Sequence, residues 1–156
     1  MKPSSHYLPC HGFNLHYTAW GDASLPVVIA WHGLARTGRD FDALAEQLSP
    51  HYRVICPDTI GRGLSQWSAN PKHDYSFATY ARITLDLMDA LHIQQAHWVG
   101  TSMGGALGLV CAAGLEVPAL KGRILSLVLN DIAPEISTAA VERIKAYAGQ
   151  PPAFDT

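Results

Sequence analysis

Near the middle of the chain an apolar run, residues 96–99, gives way to Gly100-Thr101-Ser102-Met103-Gly104 and then to a stretch of small residues, 105–114. A short buried strand that turns sharply into a helix fits that pattern, and the G-x-S-x-G spacing puts a serine at the bend. On such a turn the hydroxyl projects from the end of a sheet. Side chains two positions either side would collide with the adjoining strand and helix, and Gly100 and Gly104 carry none. The helix begins at Ser102, so its unpaired amides and positive end face the place where an oxyanion would develop, and the Met103 amide is the first candidate donor. Ser102 is therefore the candidate nucleophile. All eight histidines precede it, so the chain has a nucleophile and no evident base.

The surrounding pattern alternates strands with helices. Residues 6–10 and 13–20 read as a hairpin around His11-Gly12, because Phe13, Leu15, Tyr17 and Ala19 alternate with polar neighbours. Residues 26–31 form a buried strand. An amphipathic helix follows, with Phe41, Leu44, Ala45 and Leu48 at i, i+3, i+4 and i+7 and Asp40 as its cap. Residues 52–56 give the next strand, and Ser76 opens a longer helix whose apolar stripe runs from Phe77 to Leu91. The strand before Ser102, the helix after it and a final strand at 124–129 complete the series. This order predicts an α/β fold: a mostly parallel sheet with an antiparallel N-terminal hairpin and helices on both faces. Gly105 and Gly108 let the helix after Ser102 press closely on that sheet. Past the final strand, residues 130–135 leave the sheet, Ser137 caps a helix over 138–148, and Gly149-Gln150-Pro151-Pro152 stops it.

Composition narrows the functional classes. A net charge of −2 gives no electrostatic reason to expect nucleic acid. The N-terminal residues lack an apolar signal core, and no run approaches the roughly 18 apolar residues of a membrane span, so the cytoplasm is the expected compartment. Cys10, Cys56 and Cys111 show no C-x-x-C spacing and read as reduced, with Cys56 and Cys111 buried. The histidines make no H-E-x-x-H set, and neither a metal nor a cofactor is expected. Trp31 and Trp98 read as core. Arg36 and Arg39 read as solvent-exposed.

Two further segments carry a family likeness. The strand at 26–31 ends in His32-Gly33-Leu34, and Asp58-Thr59-Ile60-Gly61-Arg62-Gly63-Leu64-Ser65 has the form D-x-x-G-x-G-x-S. Together with the elbow, and in this order, they make the chain resemble the α/β-hydrolase family. The resemblance implies that the Leu34 amide is the second oxyanion donor and that His32 and Gly33 shape the loop beside it. Asp58 and Ser65 read as turn and cap residues. Asp131, after the strand beside the nucleophile strand, stands where some family members carry the triad acid, although a turn role also accounts for it.

The implied reaction is hydrolysis of a small-molecule carboxylic ester or related acyl bond through an acyl-enzyme. Serine rather than aspartate at the elbow argues against the dehalogenase and epoxide hydrolase branches. Carbon–carbon bond hydrolysis of ring-cleavage diketones and a non-catalytic fragment or binding scaffold are the alternatives. The resemblance covers about the first half of such a protein. Residues 1–136 correspond to the N-terminal part of the core, and 137–156 to the start of a cap or lid. A shortened polypeptide, a pseudogene product or one piece of a split enzyme is therefore expected, with self-association or complementation by a missing C-terminal half.

Overall fold

The computed structural model describes residues 2–132 and 137–147. Six strands form one sheet: β1 (Ser4–Cys10), β2 (Phe13–Trp20), β3 (Val27–Trp31), β4 (Arg53–Pro57), β5 (Ala96–Thr101) and β6 (Ile124–Asn130), in the spatial order β1-β2-β4-β3-β5-β6. The β1–β2 and β2–β4 pairs are antiparallel and the rest are parallel. The helices are α1 (Asp42–Leu48), α2 (Pro71–Asp74), α3 (Phe77–Ala90), α4 (Met103–Ala113) and α5 (Thr138–Tyr147). Short 3₁₀ turns lie at Gly38–Phe41 and Pro118–Leu120. The predicted fold class is the observed one.

Alternation along β3 shows why both faces are covered. Ile29 and Trp31 point into a core shared with Tyr80, Ile83, Leu87 and Met88 of α3 and Leu107 of α4. Val28 and Ala30 point the other way, onto Phe41 and Ala45 beside α1. A strand buried on both sides reads as a continuous apolar run, which is how residues 26–31 appear in the sequence. Trp31 and Trp98 stack in the first core with ring centroids 5.5 Å apart and no solvent exposure. The hairpin closes through His11 (φ 49°) and Gly12 (φ 81°), the pair of positive angles that a two-residue turn needs to match strand twist. Ser76 caps α3 by accepting the Thr79 amide.

One expected cap is corrected. Asp40 does not cap the helix: α1 begins at Asp42, its cap position is Phe41, and Asp40 lies in the preceding 3₁₀ turn. That turn is set by Gly38, whose amide donates to Asp58 Oδ1 at 2.7 Å and which packs so closely on the Cys56 carbonyl that a Cβ would lie 2.5 Å from the oxygen. Asp40 instead receives Arg36 through two hydrogen bonds, at 2.7 and 3.0 Å. Of the residues expected to leave the sheet, 130–135, Asn130 still belongs to β6, where it pairs with Thr101, and Asp131 and Ile132 lie past it; residues 133–135, the end of the last helix at Ala148 and the Gly149-Gln150-Pro151-Pro152 stop lie outside the described residues.

Among the described residues strand β6 ends the sheet, and Leu125 and Val128 on it are each 54% exposed. Unpaired strand edges recruit other strands. The isolated 156-residue chain is therefore expected to self-associate. Sedimentation velocity at tens of micromolar, an order-of-magnitude choice for association through such an edge, checks this, and a stable monomer would count against it.

Candidate active site

Ser102 stands between β5 and α4 with φ 51° and ψ −114°, a region L-residues rarely occupy. Its neighbours impose that conformation. The Ser102 amide donates to the Asn130 carbonyl at 2.8 Å, which ties the bend to the end of β6, while its own carbonyl accepts Gly105 and Ala106 amides at 2.9 and 3.0 Å. A Cβ at Gly100 would lie 2.3 Å from the Gly104 carbonyl oxygen, and one at Gly104 would lie 2.0 Å from the Trp31 oxygen. Only glycine fits either place. Trp98 reaches up from β5 to donate its indole N–H to the Gly104 carbonyl at 3.0 Å, locking the first turn of α4 over the strand. Gly105 and Gly108 fit against Ile132, Leu127 and Trp98.

Parallel pairing of β3 with β5 brings Trp31 level with Gly100, so the segment after β3 arrives beside the bend. A Cβ on Gly33 would lie 3.7 Å from Ser102 Cβ. Leu34, next in line, is 41% exposed, and its carbonyl accepts Arg62 Nε at 2.9 Å. His32 is fully buried. Its Nδ1 lies 2.6 Å from the Gly33 carbonyl, which fixes the proton on Nδ1. Its Nε2 accepts the Thr59 amide at 2.9 Å, with the Thr59 hydroxyl at 3.0 Å. Both ring nitrogens are occupied, so the imidazole orders the loop. Thr59 also receives the Trp31 indole at 2.8 Å, extending this chain of bonds into the core.

Burial lowers the His32 pKa below its ordinary 6.5, with the bond to the Gly33 carbonyl and the charge of Asp58 acting the other way. The folded protein therefore resists a proton that the unfolded chain accepts. Stability attached to His32 is full above pH 6.5 and is lost as pH falls below it, by at most about 1.4 kcal/mol per pH unit. Urea titrations between pH 7.5 and 5.5, a range chosen around that ordinary value, should give a shallower decline for His32→Gln than for the parent chain. Identical slopes would remove this assignment.

Asp131 follows β6 with φ 56° and is exposed. Among the described residues no histidine is hydrogen-bonded to it or to Ser102. The structure thus brings Ser102, Met103, Gly104, His32, Gly33 and Leu34 to one carboxyl edge of the sheet, and Asp131 follows the strand beside the bend. Cys10, Cys56 and Cys111 are all buried and free, and burial pushes each thiol up to about 12, so none competes as a nucleophile at neutral pH. No group of three or more potential metal ligands occurs among the described residues, and no described helix is long and apolar enough to cross a membrane.

Three supports were not legible beforehand. Asn130 pins the Ser102 amide, Thr59 holds the imidazole of His32, and Trp98 anchors Gly104. Trp98 alone left a signal, standing two residues before Gly100 on the same strand face.

A family model described as alpha/beta hydrolase fold matches residues 26–154, and the chain belongs to that family. It is 44% identical over 141 residues to a 3-hydroxybutyrate-oligomer hydrolase of Cupriavidus necator, an alignment covering 90% of this chain and 46% of that protein. It superposes on the crystal structure of an alpha/beta hydrolase from Novosphingobium aromaticivorans with a TM-score of 0.84 at 38% identity, covering 95% of this chain and 50% of that one. It is also 34% identical over 102 residues to the magnesium-chelatase 30 kDa subunit of Rhodobacter capsulatus, covering 65% of this chain and 35% of that subunit. The chain spans about half the length of the first two relatives.

Proposed function

We propose that this chain carries the nucleophile half of a serine hydrolase that cleaves carboxylic esters through an acyl-enzyme. The observation that carries the reading is the strained backbone of Ser102 on a strand-to-helix bend with Gly33 packed against it. In the proposed mechanism Ser102 Oγ attacks the ester carbonyl carbon. The amides of Met103 and Leu34 donate to the oxygen that becomes negative, a kind of donor whose removal typically costs about 10²- to 10³-fold in turnover. Collapse expels the alcohol, and water hydrolyses the resulting ester of Ser102. The base that takes the Ser102 proton comes from outside the described residues, and Asp131 is the proposed acid that would orient it. The name of the Cupriavidus relative favours short oligoesters of hydroxy acids as substrate. Three unpaired buried thiols suit a reducing compartment.

Prolonged incubation with the p-nitrophenyl ester of 3-hydroxybutyrate, followed by peptide mapping, should place an acyl group on Ser102 that is absent from Ser102→Ala. Acylation that leaves Ser102 unmodified would sink the reading. The magnesium-chelatase relative, whose name is not that of a hydrolase, supports a second reading as a non-catalytic scaffold. That reading predicts no acylation of Ser102 at all.

A further inference from the structure

On the far side of the sheet a second serine is wired in the manner of a nucleophile. Ser5 Oγ lies 2.7 Å from His16 Nε2, and His16 Nδ1 lies 2.8 Å from Asp58 Oδ2. The order of atoms is that of a serine–histidine–carboxylate relay. Strand pairing builds it: Ser5 on β1 stands opposite Thr18 on β2, and His16 is two residues along the same face. Strands β4 and β3 separate this place from β5 and Ser102.

The protonation pattern follows from the partners of Asp58. Its Oδ1 accepts the Gly38 amide at 2.7 Å and its Oδ2 accepts the Leu64 amide at 2.8 Å, so the carboxylate acts as an acceptor throughout. His16 therefore donates from Nδ1. Its Nε2 then faces the Ser5 hydroxyl as an acceptor. The backbones of the two residues are tied together as well: the His16 amide donates to Ser65 Oγ at 2.8 Å, and Ser65 Oγ donates to the Asp58 carbonyl at 2.6 Å. Gly63 is required beneath the pair, since a Cβ there would lie 2.2 Å from Asp58 Oδ2.

A separate observation points to a ligand. Ser5, His16, Thr18, Thr37, Arg39 and Leu64 line one pocket of about 320 Å³. Thr18 is 2% exposed and its hydroxyl is buried without a hydrogen-bond partner among the described residues. A buried hydroxyl with nothing to bond is costly, and a carbonyl oxygen in the pocket would satisfy it.

We propose that Ser5, His16 and Asp58 form a second acyl-transfer site that accepts small activated esters. Ser5 Oγ bonds to the ester carbonyl carbon as its proton passes to His16 Nε2, while the Thr18 hydroxyl donates to the carbonyl oxygen. The carbon–oxygen bond to the leaving group then breaks, and that group takes the proton from His16. Water deacylates Ser5 through the same nitrogen and releases the acid. Arg39, held by Asp42 at 2.5 Å, and Leu64, 61% exposed, line the same pocket.

The test uses Ser102→Ala, so that its outcome is independent of the first site. This protein is incubated with p-nitrophenyl acetate and the acetylated residues are mapped over time. Ser4 is the internal control: its Oγ also lies 2.7 Å from a histidine, His6 Nε2, but His6 stacks on Tyr17 and no carboxylate among the described residues orients it. Ser5 should acetylate about 100-fold faster than Ser4, the lower end of what a positioned general base provides. Adding Ser5→Ala should abolish that label, and adding His16→Ala should slow it by a similar factor. Labelling spread evenly over Ser4, Ser5 and Ser24, or Ser5 labelling indifferent to loss of His16, would overturn the proposal. If the His16 variant fails to fold, the ratio of Ser5 to Ser4 labelling in the folded Ser102→Ala protein decides.

Discussion

Assayed on a p-nitrophenyl ester, the Ser102-dependent turnover of the purified 156-residue chain is expected to be about 10⁶-fold slower than that of a complete serine hydrolase. The reason is geometric. His32, the histidine nearest in sequence to the proposed oxyanion loop, has both ring nitrogens bonded to Gly33 and Thr59, and no histidine among the described residues is hydrogen-bonded to Ser102. Removing the histidine from a serine triad costs about that factor in subtilisin, equivalent to about 8 kcal/mol of barrier at 1.36 per decade. An oxyanion hole and binding alone retain roughly 10³- to 10⁴-fold over water. A residual rate that depends on Ser102 is therefore expected, and Ser102→Ala is the control. Turnover near about 10 per second, a typical enzyme value, abolished by that substitution, would show that a base already serves Ser102.

Asp58→Ala should produce a large loss of stability. The carboxylate is buried and accepts His16, the Gly38 amide and the Leu64 amide, and the two amides belong to different loops. Truncation leaves a buried imidazole and two buried or half-buried amides without their acceptor. Each buried donor left without its acceptor costs about 1–3 kcal/mol, so the three together cost at least about 3 kcal/mol. For a domain near this length that lowers Tm by roughly 6 °C or more, at about 2–4 °C per kcal/mol. Urea denaturation of the variant checks the figure. A change below about 1 kcal/mol, the net worth of one ordinary hydrogen bond, would mean that the loops after β3 and β4 hold without the carboxylate.

Much of this protein was legible in the residues because the relevant constraints are local. An apolar run with no polar alternation marks β3 as buried on both faces, and period-two alternation marks β2. Glycines two positions either side of Ser102 announce a close approach, and the structure locates the approaching atoms as the Gly104 and Trp31 carbonyl oxygens. His11-Gly12 signals its hairpin because few residues tolerate two successive positive φ angles. These features depend on what one segment can do by itself.

Other features depended on which segments meet. Asp40 has the composition of a cap, yet the cap position went to Phe41, because Asp58, eighteen residues further along, captured the Gly38 amide and started a tighter turn early. Asp58 and Ser65 do organise turns, as their residue types suggest, but the partner that makes them a buried ionisable network is His16 on a distant strand. Thr59 became the support of His32 only because the sheet places β4 beside β3. Sequence thus determined the strands, the longer helices α3 and α4 and the serine at the bend, through steric and hydrophobic periodicity. Strand order alone decided which polar atoms were buried together, since a buried donor takes whichever acceptor the fold brings within reach.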